Sequence, residues 1–150
     1  MKVLVAGGAG YIGSQVTLDL ARNGHQPVVF DNLCKGHRGA VKAGHLVEGD
    51  LHDLELIKKV LVAEKIEAVI HLAAFSLVGE SVQDPGKYFQ NNISNGIILL
   101  DAMRACGVKY FVLSSTAAVY GEPERTPITE DHPKKPTNPY GFSKLTLEGI

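Results

Sequence analysis

Five short, mostly apolar runs separated by segments of helical periodicity constrain this chain more than any other feature. The runs are residues 3–6, 28–30, 45–47, 68–71 and 110–113. They lack polar alternation, which is typical of strands covered on both faces in a parallel sheet. Between them, apolar residues recur at helical spacing at Ile12, Val16 and Leu20, then within residues 51–61, and then within residues 88–103. The sequence therefore predicts a β-α-β-α order and a Rossmann-like, doubly wound parallel α/β sheet.

Length, charge and cysteine usage narrow the classes of protein that this chain can belong to. A chain of 150 residues suits one domain, and 15 basic and 16 acidic side chains give a net charge of -1. That balance argues against nucleic acid as a partner. The longest apolar run, residues 69–75, contains His71 and is far too short to span a bilayer, so we expect no membrane segment. Two cysteines without C-x-x-C spacing indicate a reducing cytoplasm, and the six histidines show no metal-binding spacing.

A glycine-rich turn joins the first predicted strand to the first predicted helix. Gly7, Gly10 and Gly13 are spaced G-x-x-G-x-x-G. Glycines in such a turn let backbone N–H groups and a helix N-terminus approach a pyrophosphate. The turn alone is a weak signal because it can be purely structural. A nucleoside-triphosphate loop is disfavoured, since no lysine precedes Ser14.

An acidic residue at the end of the second strand strengthens the dinucleotide interpretation. Asp31 follows Gly13 by 31 - 13 = 18 residues, near the roughly 20 expected for a ribose-binding carboxylate. A carboxylate there favours NAD over NADP, although Asp31 could instead serve as a turn or cap residue. Asp50, after the third strand, could meet the adenine edge or cap the next helix, and spacing favours the cap.

Local signals predict where several helices begin and end. Asp84 with Pro85 predicts a helix start, and Asn23 with Gly24 predicts a helix end. The helix predicted over residues 85–106 contains poor helix formers at Asn91, Asn92, Asn95 and Gly96. They either lie on a solvated or closely packed face, or place an asparagine toward a cofactor. Five prolines in residues 122–139 predict a long irregular connection.

Tyr140 and Lys144 are four residues apart in a helix that Pro139 is predicted to open. They therefore share one face, either as a solvated surface pair or as a catalytic pair. A phenol must lose about 3 pKa units, roughly 4 kcal/mol, to act as a base near neutrality. A lysine charge about 5 Å away supplies roughly 3 kcal/mol of this at an effective dielectric of 20. Ser114, Ser115 and Thr116 place hydroxyls where the fifth strand should end, at the sheet edge that binds ligands.

Together these motifs resemble the UDP-glucose 4-epimerase family, within the extended short-chain dehydrogenase/reductase superfamily. The resemblance covers the whole chain and is carried by the glycine turn, residues 31–33, 49–51, 71–74, 78–82 and 91–92, the S-S-T-A-A-V-Y-G run at 114–121, and Tyr140-x-x-x-Lys144. It implies Tyr140 as the base, Lys144 as the group that lowers its pKa, and Thr116 as the catalytic hydroxyl. The cofactor-binding residues it implies are Gly7, Gly10, Tyr11, Ile12, Gly13, Asp31, Asn32, Leu33, Asp50, Leu51, Leu72, Ala73, Ala74, Asn91, Ser114, Tyr140 and Lys144.

The resemblance also implies a reaction, a cofactor and partners. The expected activity is interconversion of UDP-galactose and UDP-glucose at C4 through a 4-keto sugar, with retained NAD as cofactor, in galactose metabolism. The expected partners are a UDP-sugar and, in the full-length form, a second copy of the chain. Ser76 stands where some members carry a cofactor-facing lysine, so the role of that position stays open, and the identity of the sugar stays open too.

Two alternatives to an epimerase remain. One is a different NAD-dependent sugar-nucleotide epimerase or dehydratase, although dehydratases usually carry an acidic residue where this chain has Ala117 and Ala118. The other is a catalytically silent NAD-binding fragment or sensor. Family members continue for about as many residues again, so we expect residues 1–150 to be an incomplete NAD-binding Rossmann domain without its C-terminal sugar-nucleotide domain. Such a chain is expected to bind NAD weakly and to be poorly active alone.

Overall fold

A computed structural model describes all 150 residues and contains one parallel five-stranded sheet. The strand order is β3-β2-β1-β4-β5. The strands are β1 (Lys2–Ala6), β2 (Gln26–Asp31), β3 (His45–Glu48), β4 (Ala68–His71) and β5 (Tyr110–Leu113). Every neighbouring pair is parallel. The predicted α/β class and the positions of all five strands are confirmed.

Helices follow most of the strands, as the apolar periodicity predicts. The helices are α1 (Tyr11–Arg22), α2 (Leu54–Ala63), α3 (Val78–Gln83), α4 (Pro85–Tyr88), α5 (Asn95–Cys106) and α6 (Pro139–Glu148). A π-helical segment, Phe89–Ser94, joins α4 to α5, and two short 3-10 helices cover Arg38–Ala40 and Ala117–Tyr120. No helix is both long and apolar enough to cross a bilayer.

The chain divides into two compact units. The first comprises residues 1–73 and 98–114, and the second comprises residues 74–97 and 115–150. The first unit holds all five strands with α1 and α2. The second unit holds α3, α4, the π-helical segment and α6.

The core of the first unit is apolar and lies around the central strands. Leu4, Val28, Phe30 and Val69 are essentially inaccessible to solvent, and Ile57 of α2 packs against the same cluster. Each fully buried side chain of this size contributes roughly 1.5–3 kcal/mol through burial.

The two edge strands correct one expectation, that every strand is covered on both faces. On β5, Tyr110 and Val112 are 66% and 59% exposed. On β3, His45 and Glu48 are exposed as well. Tyr110 and Val112 are two residues apart and share one face of β5, so that face is left uncovered while Phe111 and Leu113 on the other are partly buried. An apolar run is therefore not enough to infer burial on both faces.

Helix boundaries mostly follow their local signals. The Asp84 carboxylate accepts a hydrogen bond from the Lys87 N–H and caps α4. Asn138 likewise accepts from the Gly141 N–H, 2.8 Å away, so α6 begins at Pro139 as predicted. The helix α1 ends at Arg22, directly before Asn23, also as predicted.

Asp50 does not cap the next helix, which corrects a second expectation. The capping residue of α2 is Asp53, whose carboxylate accepts from the Leu56 N–H at 3.0 Å. The helix starts three residues later than the apolar pattern suggests because Asp50 bonds the backbone of His52 instead. The long irregular stretch expected over residues 122–139 is present as far as Asn138.

The buried face of α1 differs from its apolar stripe. Gly13, Ser14 and Thr17 are buried, whereas Ile12 is 61% exposed. A Cβ on Gly13 would lie 2.1 Å from the Gly7 carbonyl oxygen. The helix therefore presents its smallest residues to the glycine turn, and this close approach overrides the apolar spacing.

Candidate active site

The glycine turn is too tightly packed to hold side chains at two of its three spaced glycines. Gly7 has φ +83° and donates its N–H to the Phe30 carbonyl at 2.9 Å. A Cβ on Gly7 would lie 2.6 Å from the Ala73 nitrogen. At Gly10, by contrast, the nearest atom to an added Cβ is 3.3 Å away. The turn is packed most tightly at Gly7 and Gly13, and less tightly at Gly10.

The first turn of α1 follows directly and leaves its N–H groups without a capping side chain. Gly10 is the N-cap residue, no side chain caps the helix, and no acidic residue lies in its first turn. Tyr11 is 92% exposed. Backbone N–H groups at the positive end of a 12-residue helix form an arrangement that can bind a phosphate.

Asp31 ends β2 and is held by two backbone donors. Its Oδ2 accepts from the Ala9 N–H at 3.0 Å, and its Oδ1 accepts from the Leu33 N–H at 2.8 Å. The second contact is the turn role that was one alternative for Asp31, and the first ties the carboxylate to the glycine turn. Because each carboxylate oxygen has two lone pairs, further donors can still bind.

Asn32 and Asp50 meet beside Asp31, at the ends of β2 and β3. The Asn32 amide donates to Asp50 Oδ2 at 2.6 Å, and His52 Nδ1 lies 2.8 Å from Asp50 Oδ1. Burial acts to raise the pKa of Asp50, but the bonds from Asn32 and His52 outweigh it and lower that pKa below 3.8. Asp50 is therefore an ionised acceptor at neutral pH.

The remaining predicted residues of the first unit lie at the same sheet edge. Leu72 directly follows β4 and donates its N–H to the Ala6 carbonyl at 2.8 Å. Ser114 directly follows β5 and donates its N–H to the His71 carbonyl at 3.1 Å. The structure thus brings together, at the carboxyl ends of the strands, the first-unit candidates Gly7, Gly10–Gly13, Asp31–Leu33, Asp50, Leu51, Leu72, Ala73 and Ser114. This is the edge at which open α/β sheets bind ligands.

The second unit contains Tyr140 and Lys144, one helical turn apart on α6. Tyr140 is half-buried, and the Lys144 side chain is only 2% exposed. Burial lowers the pKa of Lys144 from 10.5 to about 8. The two residues are therefore not a solvated surface pair, which was the alternative interpretation of their spacing.

A buried amide network holds the part of α6 between these two residues. Asn92, fully buried in the π-helical segment, accepts from the Phe75 N–H at 2.9 Å and donates to the Phe75 carbonyl at 3.0 Å. Its Nδ2 also donates to Ser143 Oγ at 3.0 Å, and Ser143 Oγ donates to the Tyr140 carbonyl at 2.7 Å. For Asn92, close packing is thus the reason for a poor helix former at this position. Asn91 donates to Asn92 Oδ1 at 2.9 Å.

Thr116 begins the 3-10 turn that packs on α6. Its Oγ1 accepts from the Ala118 N–H at 3.2 Å. A Cβ on Gly141 would lie 2.5 Å from the Ala118 carbonyl oxygen, so the turn and the start of α6 are in close contact. The second unit therefore brings Thr116 to the helix that carries Tyr140. Ser115 instead donates to the Glu148 carboxylate near the other end of α6.

Sequence reasoning did not assign roles to Asn92, Ser143 and Tyr88, which hold the surroundings of Tyr140. Ser143 lies between Tyr140 and Lys144, and Asn92 is a poor helix former next to a predicted site residue, so both left a weak signal. Tyr88 left none. No group of His, Cys, Asp and Glu side chains is arranged to hold a metal ion.

Known proteins are similar to this chain over its whole length. It is 52% identical to a UDP-glucose 4-epimerase of Lactobacillus helveticus, covering 100% of this chain and 46% of that protein. The crystal structure of UDP-glucose 4-epimerase from Brucella ovis in complex with NAD matches with a TM-score of 0.97 at 47% identity, over 99% of this chain and 46% of that one. The Bifidobacterium longum UDP-glucose 4-epimerase, solved with NAD+ and UDP, matches with a TM-score of 0.95 at 37% identity, over 100% of this chain and 48% of that one.

The chain spans about half the length of the curated relatives that it matches, 46% for the L. helveticus enzyme. The model of the NAD dependent epimerase/dehydratase family matches residues 3–150. The chain therefore belongs to the NAD dependent epimerase/dehydratase family.

Proposed function

We propose that this chain supplies the NAD-binding and proton-transfer residues of a UDP-glucose 4-epimerase, which interconverts UDP-galactose and UDP-glucose. The observation that carries the proposal is the buried Lys144, one helical turn from Tyr140 and 2% exposed. A buried lysine is costly for a fold, so its presence beside a phenol favours a chemical role. The relatives named above bear the same activity in their names.

The first unit fits the pyrophosphate and the adenosine half of a dinucleotide. The start of α1, which no side chain caps and which follows the less tightly packed Gly10, fits the pyrophosphate. Asp31 has free lone pairs for the ribose hydroxyls of the adenosine half, and its charge disfavours a 2′-phosphate. Asn32, Leu33, Asp50 and Leu51 would then lie beside the adenine. Leu72, Ala73 and Ser114 are the proposed contacts of this unit with the rest of the cofactor. Ala74 and Asn91, which belong to the second unit, also remain proposed cofactor-binding residues.

The second unit supplies the proton chemistry. When bound, NAD⁺ supplies the hydride acceptor for C4 of the sugar and the donor for its return. Tyr140 takes the proton of the sugar 4-hydroxyl and gives it back to the 4-keto sugar at the end of the cycle. Lys144 stabilises the phenolate of Tyr140 by its charge, and Thr116 donates a hydrogen bond to the sugar O4.

Elimination chemistry is the nearest rival, and the 3-10 turn after Thr116 argues against it. Ala117 and Ala118 follow Thr116 there, and neither can exchange a proton. We therefore expect UDP-glucose incubated with the active protein to yield UDP-galactose and no 4-keto-6-deoxy sugar.

The test uses the chain itself and a chimaera in which residues 1–150 replace the matching part of the L. helveticus enzyme. UDP-galactose is supplied with NAD, and UDP-glucose is measured. We expect the chimaera to turn over, and Tyr140→Phe in it to lower kcat by about 10²–10⁴-fold, as for loss of a general base. Full activity of Tyr140→Phe would contradict the proposal.

Two further variants separate cofactor binding from chemistry. Asp31→Ala is expected to weaken NAD binding about tenfold or more, measured by calorimetry, because it removes the acceptor for ribose. Thr116→Ala is expected to leave NAD binding nearly unchanged and to lower kcat, because its hydroxyl addresses the sugar. Equal losses of NAD affinity in the two variants would contradict these roles.

Compartment, pathway and assembly complete the proposal. We propose a cytoplasmic protein of galactose metabolism, supported by the two free thiols of Cys34 and Cys106. We also propose a homodimer in the full-length form, supported by the exposed rings of Phe89 and Phe142, whose centroids are 6.1 Å apart. Light scattering of the chimaera tests the homodimer, and a monomeric active protein would contradict it.

A further inference from the structure

Tyr88, the last residue of α4, is a buried tyrosine that the proposed reaction does not use. It has no exposed surface, whereas Tyr140 is half-buried and Tyr11 and Tyr110 are largely exposed. A buried tyrosine normally needs a partner for its hydroxyl, and its ring then fixes whatever packs against it.

The hydroxyl of Tyr88 is held from two directions. It accepts from the Leu77 N–H at 3.0 Å, and it lies 2.8 Å from both the Leu77 carbonyl and Glu80 Oε2, which share its one proton. Glu80 forms an ion pair with Lys87, whose Nζ is 2.6 Å from Oε1. The Lys87 Nζ also lies 4.8 Å above the centre of the Phe75 ring.

These surroundings exclude Tyr88 itself as a base. Burial, followed by the hydrogen bond to Glu80, raises the pKa of Tyr88 to about 12. Tyr88 therefore stays protonated at neutral pH, and its hydroxyl is occupied by structural bonds.

The ring of Tyr88 meets the ring of Tyr140 edge-on. The two centroids are 6.5 Å apart, and the planes are inclined by 78°. Phe75 packs on Tyr88 as well, with centroids 5.9 Å apart and planes inclined by 54°. A ring anchored through its hydroxyl and supported by Phe75 therefore limits the positions that the Tyr140 ring and its hydroxyl can take.

We propose that Tyr88 is a positioning residue that holds the phenol of Tyr140 in the orientation needed for proton transfer. The inference rests on the proposed function, because it assumes that Tyr140 is the base. A general base must point at the proton that it takes, so an unrestrained ring spends less time in the productive orientation. Edge-to-face ring contacts are strong enough to change such a population by about 3- to 10-fold.

The experiment uses two variants of Tyr88 and two controls. Tyr88→Leu removes the ring, and Tyr88→Phe keeps the ring but removes its anchor at Leu77 and Glu80. Tyr110→Leu makes the same change at an exposed tyrosine of β5, and Tyr140→Phe tests the base itself. Kinetics are measured in the chimaera, and the χ1 rotamer population of Tyr140 is measured by NMR scalar couplings in the 150-residue chain.

We expect Tyr88→Leu to lower kcat about tenfold with KM and NAD affinity within about twofold, and Tyr88→Phe to lower kcat about threefold. The dominant χ1 rotamer of Tyr140 should lose population in both variants and keep it in Tyr110→Leu. A purely structural role of Tyr88 would change melting temperature without this split between kcat and KM.

The outcomes separate failure of this inference from failure of the proposed function. Unchanged kcat and an unchanged χ1 population of Tyr140 in the Tyr88 variants, with Tyr140→Phe inactive, would overturn the positioning role alone. A fully active Tyr140→Phe would overturn the proposed function and the inference together. If Tyr88→Leu does not fold, Tyr88→Phe decides: a smaller population of the dominant Tyr140 χ1 rotamer supports the inference, and an unchanged population overturns it.

Discussion

The two compact units are built from different kinds of interior. In the first unit, aliphatic side chains such as Leu4, Val28 and Ile57 form a continuous core around the sheet. In the second unit, the buried hydrophobic residues are Tyr88, Val119 and Leu147, whereas six polar residues are buried: Ser81, Asn92, Asn95, His132, Ser143 and Lys144. The stabilisation from buried apolar area does not depend on direction. Buried polar groups, by contrast, stabilise the fold only while each keeps its hydrogen-bond partners.

This difference teaches where each unit is sensitive to change. The first unit presents backbone N–H groups from a turn whose geometry is fixed by close packing, so added volume should damage it most. The second unit positions side chains through hydrogen bonds, so loss of a single polar group should damage it most.

The largest effect is expected from added volume in the first unit. Gly13→Ala places a Cβ only 2.1 Å from the Gly7 carbonyl oxygen, so the turn must open. We expect a loss of about 4 kcal/mol in the free energy of unfolding, measured with urea, and no detectable NAD binding. Gly39→Ala is the control, because an added Cβ there meets no atom within 4 Å. Similar losses in both variants would contradict the packing argument.

The second largest effect is expected from loss of an amide in the second unit. Asn92→Ala leaves the Phe75 N–H without its acceptor and removes the bond to Ser143, at a loss of about 3 kcal/mol. Hydrogen exchange should speed up in α6 and stay slow in β1 and β2. Asn23→Ala, which removes one exposed bond to Asp19, should have little effect. If hydrogen exchange in β1 became faster by the same factor as in α6, the second unit would not be more sensitive than the first to loss of a polar group.

The third effect is a gain of stability at high pH, which we expect from the buried Lys144 of the second unit. The pKa of Lys144 is about 8 in the folded chain and about 10.5 when unfolded, since burial disfavours its charge. Below pH 8 the Lys144 ammonium is charged in both the folded and the unfolded chain, so the folded state bears the full cost of burying that charge. Between pH 8 and 10.5 the unfolded chain binds more protons, so stability rises with pH by about 3 kcal/mol.

Replacement of that lysine tests the same point. Lys144→Met should remove the rise between pH 8 and 10.5 and should stabilise the chain at pH 7 by roughly 1–3 kcal/mol, while abolishing turnover in the chimaera. Urea melts at pH 7 and pH 10 measure both. A destabilised Met variant at pH 7 would mean that the contacts of the ammonium outweigh its burial.

The smallest effect is expected to be equal in the two units. Asp53→Ala removes the cap of α2, and Asn138→Ala removes the cap of α6, and each should cost about 1 kcal/mol. A cap is a local contact, so the nature of the surrounding core should not matter. Urea melts that differ by more than about 1 kcal/mol would show that the cap of one unit is coupled to its core.

Sequence reasoning predicts the first unit better than the second. All five strands and the glycine turn of the first unit have signals confined to a few neighbouring residues, and in the second unit the same holds for the helix start at Pro139. What it gets wrong in the first unit depends on neighbours: the exposure of β5 follows from its place in the strand order, and the cap at Asp53 follows from the turn at Asp50.

The interior of the second unit could not be predicted because it depends on contacts far apart in the sequence. Asn92 and Ser143 form a hydrogen bond although they are 51 positions apart in the sequence. Asn92 lies in the π-helical segment, and the apolar spacing of the sequence does not predict such a segment. Burial of Lys144 likewise depends on the packing around α6, and its spacing from Tyr140 alone is equally consistent with a surface pair.

The two outer strands of the sheet have a practical consequence for handling the protein. On the β3 side, His45 and Glu48 face solvent and pair with Glu64 and Arg38, and such charges discourage intermolecular strand pairing. On β5, by contrast, the exposed side chains are those of Tyr110 and Val112, which carry no charge. The unpaired backbone edge of β5 is therefore not protected against pairing with another molecule. Purification should therefore favour dilute samples, and a lysine in place of Val112 is the simplest route to better solubility.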